Sequence, residues 1–305
     1  ICTSNDEENI LPTLHDRLEM IDFSGYIEDE KVQIAKRHLI PKQIVENGLD
    51  GRGIDFDDGA IRMIIRLYAH EAGVRNLERD LATALRSRAI ALASCRPFAN
   101  IIVKEELLEI LGVPRYEEIK TVDADVPGVV TGLAVNFGGG TTMVLEAVQM
   151  KKVQENATLK ITGRLAEVMT ESAMVAYTCA KNYLKEKMNI EVPDMDRHIH
   201  FERGKVPKDG PSAGCAMTLA FISLISGRKV RGDLALTGEI DLLGRSMPVG
   251  GIKYKVLAAH RAGYKHVFIP ARNKKDLPEI PEEVRNDLNI MLAEKIGDIV
   301  DFALI

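Results

Sequence analysis

The run GCAMTLAFISLISG, residues 214 to 227, narrows the fold more than any other stretch. Cys215 to Ile225 is apolar all round a 3.6-residue period, and such a helix is stable only where other elements cover it on every side. Just ahead stands PKDGPSAG, residues 207 to 214. Proline suits the first helical position, where its missing N–H leaves nothing unsatisfied, so Gly210 and Pro211 read as the helix start. Ser212 then falls in the first turn, where unpaired N–H groups and the positive end of the helix dipole favour negative charge. A serine there is either a cap or a nucleophile, and the helix alone does not decide between them.

With 305 residues the chain is too long for one ordinary core and suits two domains. Hydrophobic residues make up 46% and charged residues 28%, the balance of a soluble globular protein. A net charge of −5 without a basic stripe gives no reason to expect nucleic acid. No apolar run is long enough to span a membrane, and no signal peptide is expected. Cys2, Cys95, Cys179 and Cys215 lack metal-type spacing and read as buried free thiols in a reducing compartment. The opening ICTSN resembles a buried strand ending in a polar turn, which suggests a fragment of a longer chain.

Two signal types divide the chain. From Glu28 to Asn47 the pattern is helical with a break at Pro41. Asp57 to Ala72, Val74 to Ser94 and Lys104 to Leu111 are also helical, so a small helical module is expected. YEEIKTVDADVPG, residues 116 to 128, is polar and ends in Pro-Gly, which marks a linker. Beyond it strands and helices alternate. GVVTGLAVNF and TTMVLEAVQM form a hairpin, Leu165 to Met188 a long helix and HIHFE a strand. The Ser212 helix follows, then LALTGEI as a strand, the helix Ile252 to Ala262, the strand HVFIP and a helix from Ile296 to Leu304. The expected architecture is α+β: residues 1–115 a small all-helical unit with the strand end before it, 116–128 a linker, and 129–305 an α+β domain.

A serine hydroxyl needs a base before it is nucleophilic. The chain has seven histidines, and His198 and His200 alternate on one face of a strand just upstream of Ser212. They fit a Ser-His-Asp arrangement, or are simply hydrogen-bonded strand residues. A desolvated lysine is the other option. In GGIKYKVLAAHRAG, Ile252, Val256 and Ala259 define the apolar stripe, and Lys255 lies at its edge among Gly251, Ile252, Ala258 and Ala259. Lys253 lies on the opposite edge. Pattern alone leaves open a solvated lysine whose stem covers apolar surface.

PKDGPSAG, then ALTGEI, then PVGGIKYKVLAAHRAG closely resemble the proteolytic domain of the Lon family of ATP-dependent proteases. The resemblance implies Ser212 as nucleophile and Lys255, the second lysine of GGxKxK, as general base. It implies that Thr237 and Glu239 of the TGEI strand line the site. It also matches Asp209 and the strand pair His198 and His200 to supporting or substrate-groove positions. No metal is implied at this site, and no cofactor for peptide hydrolysis. Upstream, ICTSN resembles the sensor-1 strand of the family's AAA+ module, with Asn5 as sensor. LHDRLEMI resembles the segment holding the arginine finger, here Arg17, and EAGVRNLERDL the sensor-2 helix, here with Arg75.

The sequence departs from that family in places. No GxxxxGK[ST] and no acidic Walker B strand is present, so these residues should not hydrolyse ATP, although the full-length protein would use ATP and magnesium. Val135 replaces the usual aromatic after GLA, and KKVQENATLK, residues 151 to 160, replaces a GKGKL segment. Unfolded or misfolded proteins are the implied substrates, a homohexamer the implied assembly, and the cytoplasm or the mitochondrial matrix the implied location. Two other readings stand beside this one. In a small-molecule kinase the GPSAG loop would cradle phosphate; in a non-catalytic Lon-like platform the serine or the lysine would be lost, and this chain keeps both.

Overall fold

A computed structural model describes residues 2–3, 10–21, 25–116, 126–136, 139–152, 155–202 and 209–305. The chain forms two compact units, Ile1–Val113 and Pro114–Ile305. Asn5 and most of the expected linker lie outside the described residues. Of ICTSN, the described Cys2 and Thr3 are exposed and belong to no strand.

The first unit holds α1 (Pro12–His15), α2 (Glu28–Ile34), α3 (Ile40–Glu46), β1 (Asp55–Phe56), α4 (Asp58–Leu67), α5 (Arg75–Ala93), β2 (Ile101–Ile102) and α6 (Leu107–Leu111). Pro41 does not break the helix. A π-helical turn over Ala35–Leu39 joins α2 to α3, and Pro41 then falls in the first turn of α3, where its absent N–H is harmless. Asp57 caps α4 by accepting the Ala60 N–H at 2.6 Å. That helix stops at Leu67 rather than running to Ala72, because Tyr68 turns inward to bury its ring and donates its hydroxyl to the Gly112 carbonyl at 2.7 Å. Ile61, Ile64 and Ile65 of α4 pack on Leu77, Leu81 and Leu85 of α5. The unit is not wholly helical, since β1 and β2 pair in parallel.

The second unit is built on β3 (Val129–Asn136), β4 (Gly139–Met150), β5 (Leu159–Thr162), α7 (Glu167–Met188), β6 (Asp196–Phe201), α8 (Gly214–Ser226), β7 (Leu234–Leu236), β8 (Glu239–Ile240), β9 (Ser246–Met247), α9 (Ile252–Arg261), β10 (His266–Pro270), α10 (Glu282–Asp287), β11 (Asn289–Ala293) and α11 (Ile296–Ala303). Seven strands make one mixed sheet in the order β11-β10-β7-β3-β4-β6-β5. The first four run parallel, and β4 pairs antiparallel with both β3 and β6.

Alternation along the strands feeds two cores. Val130, Leu234, Leu236 and Phe268 join the cluster formed with α7, α8 and α11. Leu133, Ala235, Val267 and Ile269 join that of α9 and α10. The sheet therefore has helices on both faces, and α8, the apolar helix, is buried from Gly214 to Ser223. LALTGEI is two strands rather than one, because Gly238, with φ +155°, turns the chain between β7 and β8. The strands β5 and β11 and the helix α10 carry no strong sequence period and are found only in the structure. Among the described residues no helix is long and apolar enough to cross a membrane.

Candidate active site

α8 begins at Gly214, two residues beyond Ser212, so Pro211 is not its first helical residue. In a longer helix the Ser212 carbonyl would accept from Ala216. Here it accepts instead from the Gly238 N–H at 2.9 Å and the Thr237 hydroxyl at 3.1 Å. In return the Gly238 carbonyl accepts the Cys215 N–H at 2.9 Å. The turn after β7 thus grips the backbone on both sides of Ala213. Only glycine fits at 238: a Cβ there would lie 2.8 Å from the Cys215 sulfur and 3.1 Å from the Ser246 oxygen.

The residues ahead of Ser212 are fastened to α7. Asp209 Oδ1 accepts the Gly210 N–H at 2.8 Å and the Met169 N–H, in the first turn of α7, at 3.3 Å. The Pro211 carbonyl accepts from Gly214 N–H at 3.0 Å and, at a longer 3.4 Å, from the Ser172 hydroxyl. Asp209 is therefore a remote cap of α7 and a brace for the Ser212 loop.

Lys255 lies in the first turns of α9 and is only 3% exposed. It belongs to the buried face of α9 rather than to its edge, together with Ile252, Val256, Ala258 and Ala259. Burial lowers the pKa of its amine to about 8. No ion pair to the amine is present among the described residues, so no carboxylate holds its proton. Lys253, two residues earlier, is half-buried.

The Ser212 loop and the start of α9 lie at the C-terminal ends of two neighbouring central strands, β7 and β3. Thr237, whose hydroxyl touches Ser212, follows directly after β7. The start of α9 lies against the end of the adjoining parallel strand β3: Val135 Cγ2 is 2.7 Å from where a Cβ on Gly251 would stand. A Cβ on Gly140, the register partner of Val135, would lie 1.8 Å from the Tyr254 carbonyl oxygen. Gly140 therefore lets α9 settle directly on the sheet, and the Arg261 guanidinium donates to its carbonyl at 2.8 Å. The C-terminal ends of β3 and β7 thus carry both groups, the usual location of sites in open α/β sheets.

The other sequence candidates divide. Thr237 is 1% exposed, and its hydroxyl donates to the Ser212 carbonyl. Glu239 opens β8, partly exposed, with its carbonyl receiving the Cys215 thiol at 3.4 Å. His198 and His200 both turn to Thr162 on β5, each ring 2.8 Å from its hydroxyl. β6 is three strands removed from β7, about 14 Å across a regular sheet. Burial, then the nearby Lys160 and His200, lower the His198 pKa. Arg17, in a turn after α1, and Arg75, which opens α5, are exposed. Gly238, Gly140 and Ser172 escaped sequence reasoning; the first stands in the quoted TGE motif, but its steric role appears only once Cys215 and Ser246 close around it.

Residues 101–305 match the Lon protease (S16) C-terminal proteolytic domain, and residues 45–100 match the Lon protease AAA+ ATPase lid domain. The chain is 45% identical to the Lon protease of Desulfosudis oleivorans, over the whole chain and 37% of that protein. It is 42% identical to that of Desulforamulus reducens and 43% to that of Dictyoglomus thermophilum, again over the whole chain and 38% of each relative. The chain thus spans well under half the length of the relatives it matches. With its two domain matches in sequence order and these identities along its full length, the chain belongs to the Lon protease family.

Proposed function

We propose that the second unit is a serine endopeptidase in which Ser212 is the nucleophile and Lys255 the general base. The observation that carries this reading is the buried Lys255 amine, with no ion pair among the described residues and a pKa brought down to about 8, on a helix that starts beside the strand next to the one holding the Ser212 loop. The neutral amine takes the Ser212 proton as the hydroxyl oxygen attacks the scissile carbonyl. The resulting ammonium returns that proton to the leaving amine, and water then hydrolyses the acyl-serine by the same path in reverse roles. The N–H groups of Gly214 and Cys215 are engaged by Pro211 and Gly238, which leaves those of Ser212 and Ala213 to hold the oxyanion. Thr237 and Gly238 act by fixing the Ser212 backbone, and Asp209 by fixing the loop before it.

Peptide hydrolysis by these residues needs neither cofactor nor metal. Arg17 and Arg75 lie in the first unit and take no part in this hydrolysis. In the full-length protein, ATP and magnesium would drive unfolding of misfolded polypeptides into a chamber enclosed by a homohexamer, in the cytoplasm. The decisive experiment is cleavage of an unfolded protein by this chain, with and without ATP, beside Ser212→Ala and Lys255→Arg. The parent should cleave equally in both conditions and neither variant should cleave. Stimulation that depends on ATP hydrolysis by these residues would contradict the reading of the first unit, and full activity of Lys255→Arg that of the second.

A further inference from the structure

His198 and His200 converge on a single atom. Along β6, Arg197, Ile199 and Phe201 are buried on one face, whereas His198 and His200 are half-buried on the other. Neighbouring residues on one face of a strand stand roughly 7 Å apart, close enough for two imidazole rings to aim at a shared point. Here they do: His198 Nε2 and His200 Nδ1 each lie 2.8 Å from the Thr162 hydroxyl oxygen on β5. A hydroxyl has one hydrogen, so it donates to one ring and accepts an N–H from the other. The register then sets a carboxylate beside them. Glu146 of β4 is the direct partner of His200 across the antiparallel pair, where Cβ atoms lie about 5 Å apart. Its side chain is exposed and makes no hydrogen bond or ion pair among the described residues.

We propose that His198 and His200 bind a divalent transition-metal ion, with Glu146 as a third, carboxylate ligand. Imidazole nitrogen suits zinc, copper and nickel, whereas sets of oxygen donors suit magnesium and calcium, so two nitrogens and one carboxylate select the former group. Tetrahedral zinc holds its nitrogens at about 2.0–2.1 Å, which places them about 3.4 Å apart. The two rings, already bonded to a common oxygen, reach that spacing by small side-chain rotations. The ring that now donates to Thr162 moves its proton to its outer nitrogen, so both lone pairs face the ion and the pair stays neutral. Among the described residues no three His, Cys, Asp or Glu side chains stand closed around a point, so Glu146 completes the set by changing rotamer and water takes the fourth position. Lys160, the register partner of His198 on β5, opposes binding as a cation beside the site, on an exposed stem that swings outward. The site lies three strands from β7 and does not rest on the Ser212 and Lys255 reading.

Titration of the intact chain with zinc alone tests this, in a Cys2→Ser and Cys95→Ser background so that the exposed thiols do not compete. His198→Gln and His200→Asn each keep an amide that bonds Thr162 but remove an imidazole. Calorimetry should show a zinc site in the parent that each of these variants weakens by roughly 10- to 100-fold or more, since loss of an outer-shell partner alone costs that much. Glu146→Gln should weaken it several-fold, and Lys160→Gln should tighten it. The melting temperature of the parent should rise with zinc concentration, and those of the two histidine variants, which should still melt cooperatively without zinc, should not. Magnesium at the same concentrations should give neither heat nor stabilisation. Parent-like zinc affinity in both histidine variants overturns the site, as does a parent that binds no zinc. Parent-like affinity in Glu146→Gln overturns the third ligand.

Discussion

An ammonium on the buried face of a helix, without a counter-ion among the described residues, is a destabilising placement, and α9 makes it at Lys255. Folded, the amine loses its proton at about 8; unfolded, at about 10.4. The group binds its proton less readily in the native state, so below pH 8 the full penalty of about 3 kcal/mol opposes folding. It is relieved as pH rises from about 8 to 10.4, so stability attributable to this residue increases across that window. Two outcomes follow. Peptide hydrolysis should rise with pH through a midpoint near 8, measured as kcat/KM on a short peptide, and Lys255→Arg should lose it because guanidinium does not deprotonate. Lys255→Met should be inactive yet melt higher than the parent at pH 7, by the several degrees that a few kcal/mol represents in a domain of this size. A variant that melts lower would mean the amine is favourably solvated where it sits. The thiols obey the same logic. Burial raises Cys179 to about 11 and Cys215 to about 12, whereas Cys2 and Cys95 are exposed, contrary to the expectation that the cysteines are buried. A maleimide should therefore modify Cys2 and Cys95 in the native protein and reach Cys179 and Cys215 only after denaturation.

At the scale of elements, the site depends on glycines that let backbone approach backbone. Gly238→Ala would drive a methyl group into Cys215 and Ser246 and push the β7–β8 turn off the Ser212 carbonyl. It should reduce kcat by about 10²-fold or more, with a smaller change in KM, because it shifts the nucleophile and not the groove. Parent-like kcat in that variant would show that the turn does not position Ser212. This level separates what the sequence displayed from what it hid. The all-apolar run of α8, the hairpin of β3 and β4 and the long α7 were legible because each has a strong local period. The start of α8 was misplaced because proline reads as a helix start locally, while the Ser212 carbonyl is claimed by a turn 25 residues later. LKIT and NIMLA are too short to declare themselves, and become strands only through the registers with β6 and β10. Ser212 and Lys255 were singled out through motifs; that both stand at the ends of β3 and β7 is a property of sheet order, which no local pattern encodes.

At the scale of the molecule, the two units own separate cores. Every member of the first unit's cluster lies between Val32 and Leu111, and every member of the other two clusters at or beyond Val130. Apolar burial is the main favourable term in folding, so a unit that buries its own core carries most of its stability within itself. The boundary at Val113–Pro114 lies just ahead of the segment whose polar composition suggested a linker. Residues 114–305 alone should therefore fold cooperatively, and, since Asp209, Ser212, Thr237, Gly238 and Lys255 are all held by contacts within that unit, should cleave a short peptide within about threefold of the intact chain. The intact chain should in turn unfold in two calorimetric transitions, one of which is retained in the shortened protein at nearly the same temperature. A Ser212→Ala variant of the shortened protein provides the blank against which weak cleavage is judged. If residues 114–305 melt many degrees lower than either transition and lose cleavage, stability and activity of the second unit are joint properties of the whole chain.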